Sequence, residues 1–260
     1  MKINDLVTRN SYKHDIIFQI VDIKDGIFYL KGVDYRLIAD ATQDDLRLYE
    51  ERVSMQLPYI NISPNVAPGK VLHIDGDRVY VTKSQQAYEK YGIEAKCIFL
   101  EENLMPSSIS SLLLQDKYDI LVITGHDFYK IDEKQETDDL TRYQNSINFV
   151  GAVQQARRLF PDLDSLVIVA GACQSNYEAL ITNGANFASS PTRDNIHMLD
   201  PIIVASILAT SSVKEYVSPE NVVNQTISKS LGGIETKGKA RMHYVGANEY
   251  GFHNKSVRKN

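Results

Sequence analysis

Two short apolar runs, ILVIT (residues 120–124) and LVIVA (166–170), each end in a glycine and then a chemically reactive side chain. The first continues as Gly125-His126, the second as Gly171-Ala172-Cys173. Runs this short, apolar at every position and bounded by polar segments, are strands buried on both faces, which means a parallel sheet covered by helices on either side. From Val71 onward the rest of the chain keeps that rhythm. VLHIDGD, AKCIFLEE and ANFASS are further strands, alternating with helices over TKSQQAYEKYGI, PSSISSLLLQDK, SINFVGAVQQARRLF and NYEALITNG. HMLDPIIVASILAT and SPENVVNQTISKS complete the helical set. Pro106 opens one helix, while Gly92 and Gly184 close two others.

The first 60 residues follow a different rule. IIFQIVDI, GIFYLKGV and YRLIAD are rich in β-branched and aromatic residues, and Asp25-Gly26 supplies a two-residue hairpin turn. A small β-barrel-like, SH3-like domain is expected over 1–60, with a short helix over 45–55. A linker over 61–70 carries Pro64, Pro68 and Gly69. The α/β domain, flavodoxin-like or caspase-like in outline, is expected over 69–260.

Bulk properties exclude several classes. A net charge of −5 gives no general pull towards nucleic acid or an anionic membrane. No apolar run reaches the ~20 residues of a bilayer span, and the N-terminus lacks a signal-peptide core. Cys97 and Cys173 are the two cysteines, too few for a disulfide framework, so a reducing compartment is expected. A basic end (Lys237, Lys239, Arg241, Lys255, Arg258, Lys259) and an acidic stretch (Asp132, Glu133, Glu136, Asp138, Asp139) read as solvated segments. The acidic stretch, following His126, could also attract basic substrates.

If the two glycine-ended strands are neighbours, His126 and Cys173 emerge at one sheet edge. A cysteine beside an imidazole can ionise near neutral pH, and the helix after Cys173 would favour the thiolate further. Cys97, inside an apolar strand, is expected to be a core residue. His126 lies 47 residues before Cys173. Order, spacing and the Gly171-Ala172-Cys173-Gln174 segment resemble the caspase-like peptidases, in which a strand-tip histidine and a strand-tip cysteine form a dyad. One departure is Asp127, where that group usually has glycine.

A closer resemblance is carried by DLVTRNSY, KGVDYRLIAD, GKVLHIDGD, DILVITGHD, VIVAGACQSNYEAL, GANFASSP and GGIETKGK, spread over residues 5 to 240. These segments resemble the sporulation peptidase YabG family. The resemblance implies a cysteine endopeptidase acting on spore coat and coat-assembly proteins in the mother-cell cytoplasm of a spore former, cleaving after basic residues and needing no cofactor. His126 and Cys173 would then be catalytic, with Gly125, Asp127, Ala172 and Gln174 lining the site and backbone N–H groups near Cys173 and Asp127 holding the oxyanion. No third orienting residue is expected. An acidic pocket for the basic side chain would draw on Asp127, Asp194 or Asp200, and His197 could line the groove.

Two rival readings stand beside this one. Asp75 and Asp77, after His73, could hold Mg²⁺ in a phosphotransfer domain, although a turn with helix capping explains them more simply. A scaffold for coat assembly, using the β-domain to bind, is the other. Gly232-Gly233 lacks the preceding strand of a phosphate loop, and no Cys/His cluster has zinc spacing.

Overall fold

A computed structural model describes residues 1–51, 53, 55–60, 67–130 and 139–238. The chain builds a small antiparallel sheet and then a larger α/β unit. The small sheet contains β1 (Leu6–Arg9), β2 (Ile17–Lys24), β3 (Ile27–Gly32), β4 (Ile38–Thr42) and β5 (Leu46–Leu48), in the order β4-β3-β2-β1-β5. Asp25 and Gly26 both have positive φ, +50° and +78°, as a two-residue β2–β3 turn requires. Alternating residues Val7, Phe18, Ile20, Phe28 and Leu30 bury a separate core on one face. The helix expected over 45–55 is not found among the described residues of that stretch. Leu46–Leu48 instead pairs with β1, because Leu46 completes that small core and the β1 edge would otherwise stay open.

The larger unit runs β6 (Val71–Asp75), α1 (Arg78–Lys90), β7 (Ala95–Phe99), α2 (Met105–Leu113), β8 (Ile120–Thr124), α3 (Ser146–Leu159), β9 (Val167–Ala170), α4 (Tyr177–Thr182), β10 (Phe187–Ser189), α5 (Asp200–Ala209), β11 (Tyr216–Val217), α6 (Pro219–Val223), β12 (Leu231–Gly233) and β13 (Thr236–Lys237). Its six-stranded sheet has the order β12-β10-β9-β8-β6-β7, parallel except for β12. β11 and β13 make a separate two-stranded ribbon.

Every residue of β6, β8 and β9 is buried, and alternation sorts them onto two faces. Val71, Ile120, Val122, Val167 and Val169 meet the helices α1, α5 and α6; Leu72, Ile74, Leu121, Ile123 and Ile168 meet α2, α3 and α4. That sorting continues past the last strand residue. Ala172 packs into the α2–α4 face and Cys173 into the α1–α5 face. Gly171 allows the crossing with φ of +105°, and a Cβ there would lie 2.9 Å from the Ser189 carbonyl oxygen. Gly171→Ala is therefore expected to cost about 2–4 kcal/mol, seen as a fall in Tm, because neither the backbone angle nor the space accepts a methyl.

Sequence reading located the elements of the parallel sheet well and the ends poorly. SPENVVNQTISKS forms only one short helix, α6. β12 was missed, since two of its three residues are glycine and its one apolar residue, Leu231, carries no periodicity. Most of the basic end, most of the acidic stretch and most of the linker lie outside the described residues.

Candidate functional site

β8 and β9 are neighbours, paired in register from Ile120↔Val167 to Ile123↔Ala170. Their carboxyl ends therefore deliver His126 and Cys173 side by side, and both line one cavity of ≈ 100 Å³. Asp127, Phe128, Gln144, Gln174 and Asn195 line it too, together with Arg36 and Leu37 from the β3–β4 connection and Ile38 at the start of β4.

His126 is held from several directions. Its backbone N–H donates to Glu102 Oε1 at 2.9 Å, and its carbonyl accepts from Asn145 Nδ2 at 2.8 Å. Glu102 also explains Gly125, since a Cβ at that position would come within 2.5 Å of the same oxygen. The ring lies 5.9 Å from the Tyr80 ring, and Nε2 donates to Asp77 Oδ2 at 2.8 Å. A carboxylate only accepts, so Nε2 carries a hydrogen, and of the two neutral tautomers this contact selects the one whose Nδ1 keeps the lone pair. Nδ1 is buried and without a hydrogen-bond partner.

Asp77 is thus an orienting carboxylate, a role sequence reading did not give it. The capping expectation also holds, because its other oxygen accepts from Val79 N at 2.9 Å as the N-cap of α1. Lys31 of β3 forms an ion pair with the oxygen that His126 uses. Burial opposes charge on Asp77, yet the His126 hydrogen bond and the Lys31 ammonium outweigh it and hold the carboxyl well below the usual carboxylate range.

Cys173 is 2% exposed. Its sulfur accepts from the Ile196 N–H at 3.3 Å, and the Arg36 guanidinium and backbone amide also favour its anion. Burial outweighs these and pushes the thiol up to about 11. The expected ionisation near neutral pH is therefore not met in this closed arrangement, because burial dominates and the His126 imidazole makes no hydrogen bond to the sulfur. Cys97, on β7, is pushed up to about 12 by burial and packs against the core as expected.

The other predicted residues divide. Asp127 is buried, and its carboxylate accepts from Phe128 N (3.0 Å), Asn145 N (2.8 Å), Ser146 Oγ (2.5 Å) and Ser175 Oγ (3.0 Å). Ser175 Oγ accepts from Ala172 N at 2.9 Å and Ser146 Oγ accepts from Asn176 N at 2.8 Å, so Asp127 knots the histidine loop to the cysteine loop. That use leaves its side chain no room as a specificity acid. Gln174 lines the cavity, has φ of +57°, and accepts from Tyr129 N at 3.1 Å. Gly125 and Ala172 do not line it; Ala172 is committed to the core on the opposite sheet face. Asp200 is buried against the Ile227 and Ser228 N–H groups, and His197 leans edge-on against Tyr35 at 5.4 Å. Asp194 is exposed, with its carboxylate on Thr192 Oγ1 and its carbonyl accepting from Gln174 N at 3.3 Å.

Asp75, at the tip of β6, accepts two hydrogen bonds from Arg36, at 3.1 and 2.6 Å, and both side chains are fully buried. Thr124 Oγ1 and Asp77 N also donate to it, at 2.8 and 2.9 Å. Behind it, Tyr88 Oη bonds His73 Nδ1 at 3.1 Å and His73 Nε2 bonds Thr124 Oγ1 at 3.0 Å. With Thr124 donating to Asp75, the proton directions run from Tyr88 through His73 to Thr124. Both carboxylates proposed for Mg²⁺ are thereby neutralised by protein cations, which disfavours the phosphotransfer reading. Among the described residues no group of three or more His, Cys, Asp or Glu side chains is arranged to hold a metal, and no helix is long and apolar enough to cross a membrane.

Comparison with known proteins bears on this site. The family described as YabG peptidase U57 matches residues 2–61 and 59–245. The chain is 38% identical to the Sporulation-specific protease YabG of Bacillus subtilis (strain 168), over 286 aligned positions that take in 93% of this chain and 97% of the relative. No solved structure matches.

Proposed function

Because this chain belongs to the YabG peptidase family, we propose that it is a sporulation-associated cysteine endopeptidase whose His126 and Cys173 hydrolyse peptide bonds in spore coat and coat-assembly proteins. The observation that carries the catalytic assignment is the shared cavity: adjacent strand tips bring one imidazole, with an unpartnered Nδ1, and one sulfur to the same space. The sheet order, with its single antiparallel edge strand, supports a caspase-like α/β fold. The separate apolar core of the small sheet supports a division into an N-terminal β-domain and a peptidase domain.

In this mechanism Cys173 passes its proton to His126 Nδ1, and the thiolate attacks the scissile carbonyl carbon. Backbone N–H groups of Cys173 and Asp127 hold the oxyanion. Collapse of the tetrahedral intermediate breaks the C–N bond, and the leaving amine takes the proton from His126. Water, deprotonated by the same imidazole, then releases the acid from the thioester and restores the thiol. Asp77 keeps Nε2 protonated throughout, so that Nδ1 remains the working nitrogen.

The preferred residue before the cut is basic, a reading supported by the buried carboxylate of Asp75 on the Cys173 face of the sheet. Incubation of the purified protein with a peptide library is expected to give cuts after Arg or Lys at least about 100-fold faster than after Leu or Glu. A thiol alkylator should remove them. Cleavage undiminished once Cys173 is alkylated would exclude the cysteine mechanism.

A further inference from the structure

The hairpin tip between β3 and β4 lies across the site in an extended, strand-like manner. Tyr35 and His197 form an antiparallel bridge. The Met198 N–H donates to the Asp34 carbonyl at 2.7 Å, and the Arg36 N–H to the Ile196 carbonyl at 3.5 Å. Ile196 is the same residue whose N–H reaches the Cys173 sulfur. A chain paired edge-on with the segment beside the nucleophile is the manner in which proteins take up extended peptides.

Arg36 is the centre of this contact. Its side chain is fully buried, bonded to Asp75 through both terminal nitrogens, and covered by the Tyr80 ring at 4.6 Å. A buried ion pair of this kind contributes little to stability beyond an apolar pair of equal volume, so stability alone does not account for it. Bidentate recognition of a guanidinium by a buried carboxylate does. The tip is also fastened from behind: Tyr80 Oη donates to the Gly32 and Tyr35 carbonyls at 2.7 and 2.9 Å, and Lys83 Nζ to the Val33 carbonyl at 2.7 Å.

We propose that the β3–β4 tip is bound in cis as a substrate is bound, with Arg36 in the place of the residue before the scissile bond and Asp75 as the carboxylate that recognises it. Incoming peptides then compete with the protein's own loop, which is present at the high effective concentration of an intramolecular ligand. The 2% exposure of Cys173 follows from this occupancy. The inference takes its catalytic vocabulary from the peptidase reading, but recognition of Arg36 by Asp75 can be tested without catalysis.

Agmatine carries the arginine guanidinium on a short alkyl chain and serves as the probe. In a Cys173→Ala background, millimolar agmatine is expected to raise the Tm of Arg36→Ala saturably. It should leave the protein with Arg36 in place unchanged, and leave Arg36→Ala/Asp75→Asn unchanged. No shift in a folded Arg36→Ala protein, or an equal shift with Asp75→Asn, overturns the proposal. Lys83→Ala, which removes the tip's hydrogen bond at Val33 and its ion pair at Asp34 without touching Arg36 or Asp75, gives a second route with Cys173 present. Iodoacetamide should alkylate Cys173 at least ten-fold faster in that variant, and an unchanged rate overturns the proposal even if Arg36→Ala does not fold. Agmatine binding to a protein that cleaves no peptide would sink the peptidase reading alone. Cleavage after arginine with no agmatine site would sink this one alone.

Discussion

Replacing Cys173 by alanine is expected to abolish peptide hydrolysis, by at least about 10⁴-fold in kcat, while the folded protein keeps its stability to within about 1–2 kcal/mol. The asymmetry follows from the setting of the sulfur. Cys173 is a small side chain among Met198, Ile202 and their neighbours, so its loss removes one buried atom and a weak contact with Ile196. In the proposed reaction it is the atom that forms the covalent bond. Cys97→Ala serves as the control. Cys97 belongs to β7, at the edge of the sheet, and its loss should change kcat/KM less than about two-fold. Measuring both variants with one arginine-containing peptide, alongside thermal unfolding, separates lost chemistry from lost structure. Hydrolysis by the Cys173 variant at more than about 1% of the parent rate would remove the nucleophile assignment.

The second large effect is expected at Asp77. Asp77→Asn should lower kcat by about 10²–10⁴-fold with little change in KM. Asparagine still caps α1, because its side-chain oxygen can accept from Val79 N, so the helix start is preserved. The amide nitrogen, however, would face His126 Nε2 as a donor. The neutral ring then moves its hydrogen to Nδ1, and the lone pair needed for the thiol proton is lost. Lys31 would also lose its anionic partner. Asp77→Ala removes the cap as well, so it should lower Tm more than the asparagine variant does. A normal kcat in Asp77→Asn would show that the Asp77–His126 contact only shapes the resting protein.

The second effect also involves the small N-terminal sheet. Lys31 sits on β3 and Arg36 just beyond it, and each pairs with a carboxylate at or just past the tip of β6. Lys31 and Arg36 thereby bring positive charge from the N-terminal unit to the carboxylates beside the candidate site.

Several features were legible before any coordinates. Short apolar runs rich in Ile and Val and ended by glycine favour buried strands over helix, so the parallel sheet followed from ILVIT and LVIVA. Glycine at both strand ends singled out His126 and Cys173 over His197 and Cys97. The short strand β5 was misread as helix because LRLYEE fits either period, and only the open edge of β1 decides between them. Asp75 and Asp77 together read as a metal-holding pair or, more simply, as a turn with capping, since the sequence around them shows an acidic turn and nothing of what faces it.

The amino-acid order alone determined the local periods, the buried strands and the two reactive side chains at their ends, because these depend on neighbours within a few residues. Tertiary structure decided which charges meet. Arg36 and Asp75 are 39 positions apart, and Asp77 and His126 are 49 apart. The first pairing depends on how the two sheets dock and the second on β6 and β8 lying side by side, and neither leaves a periodic trace along a single chain.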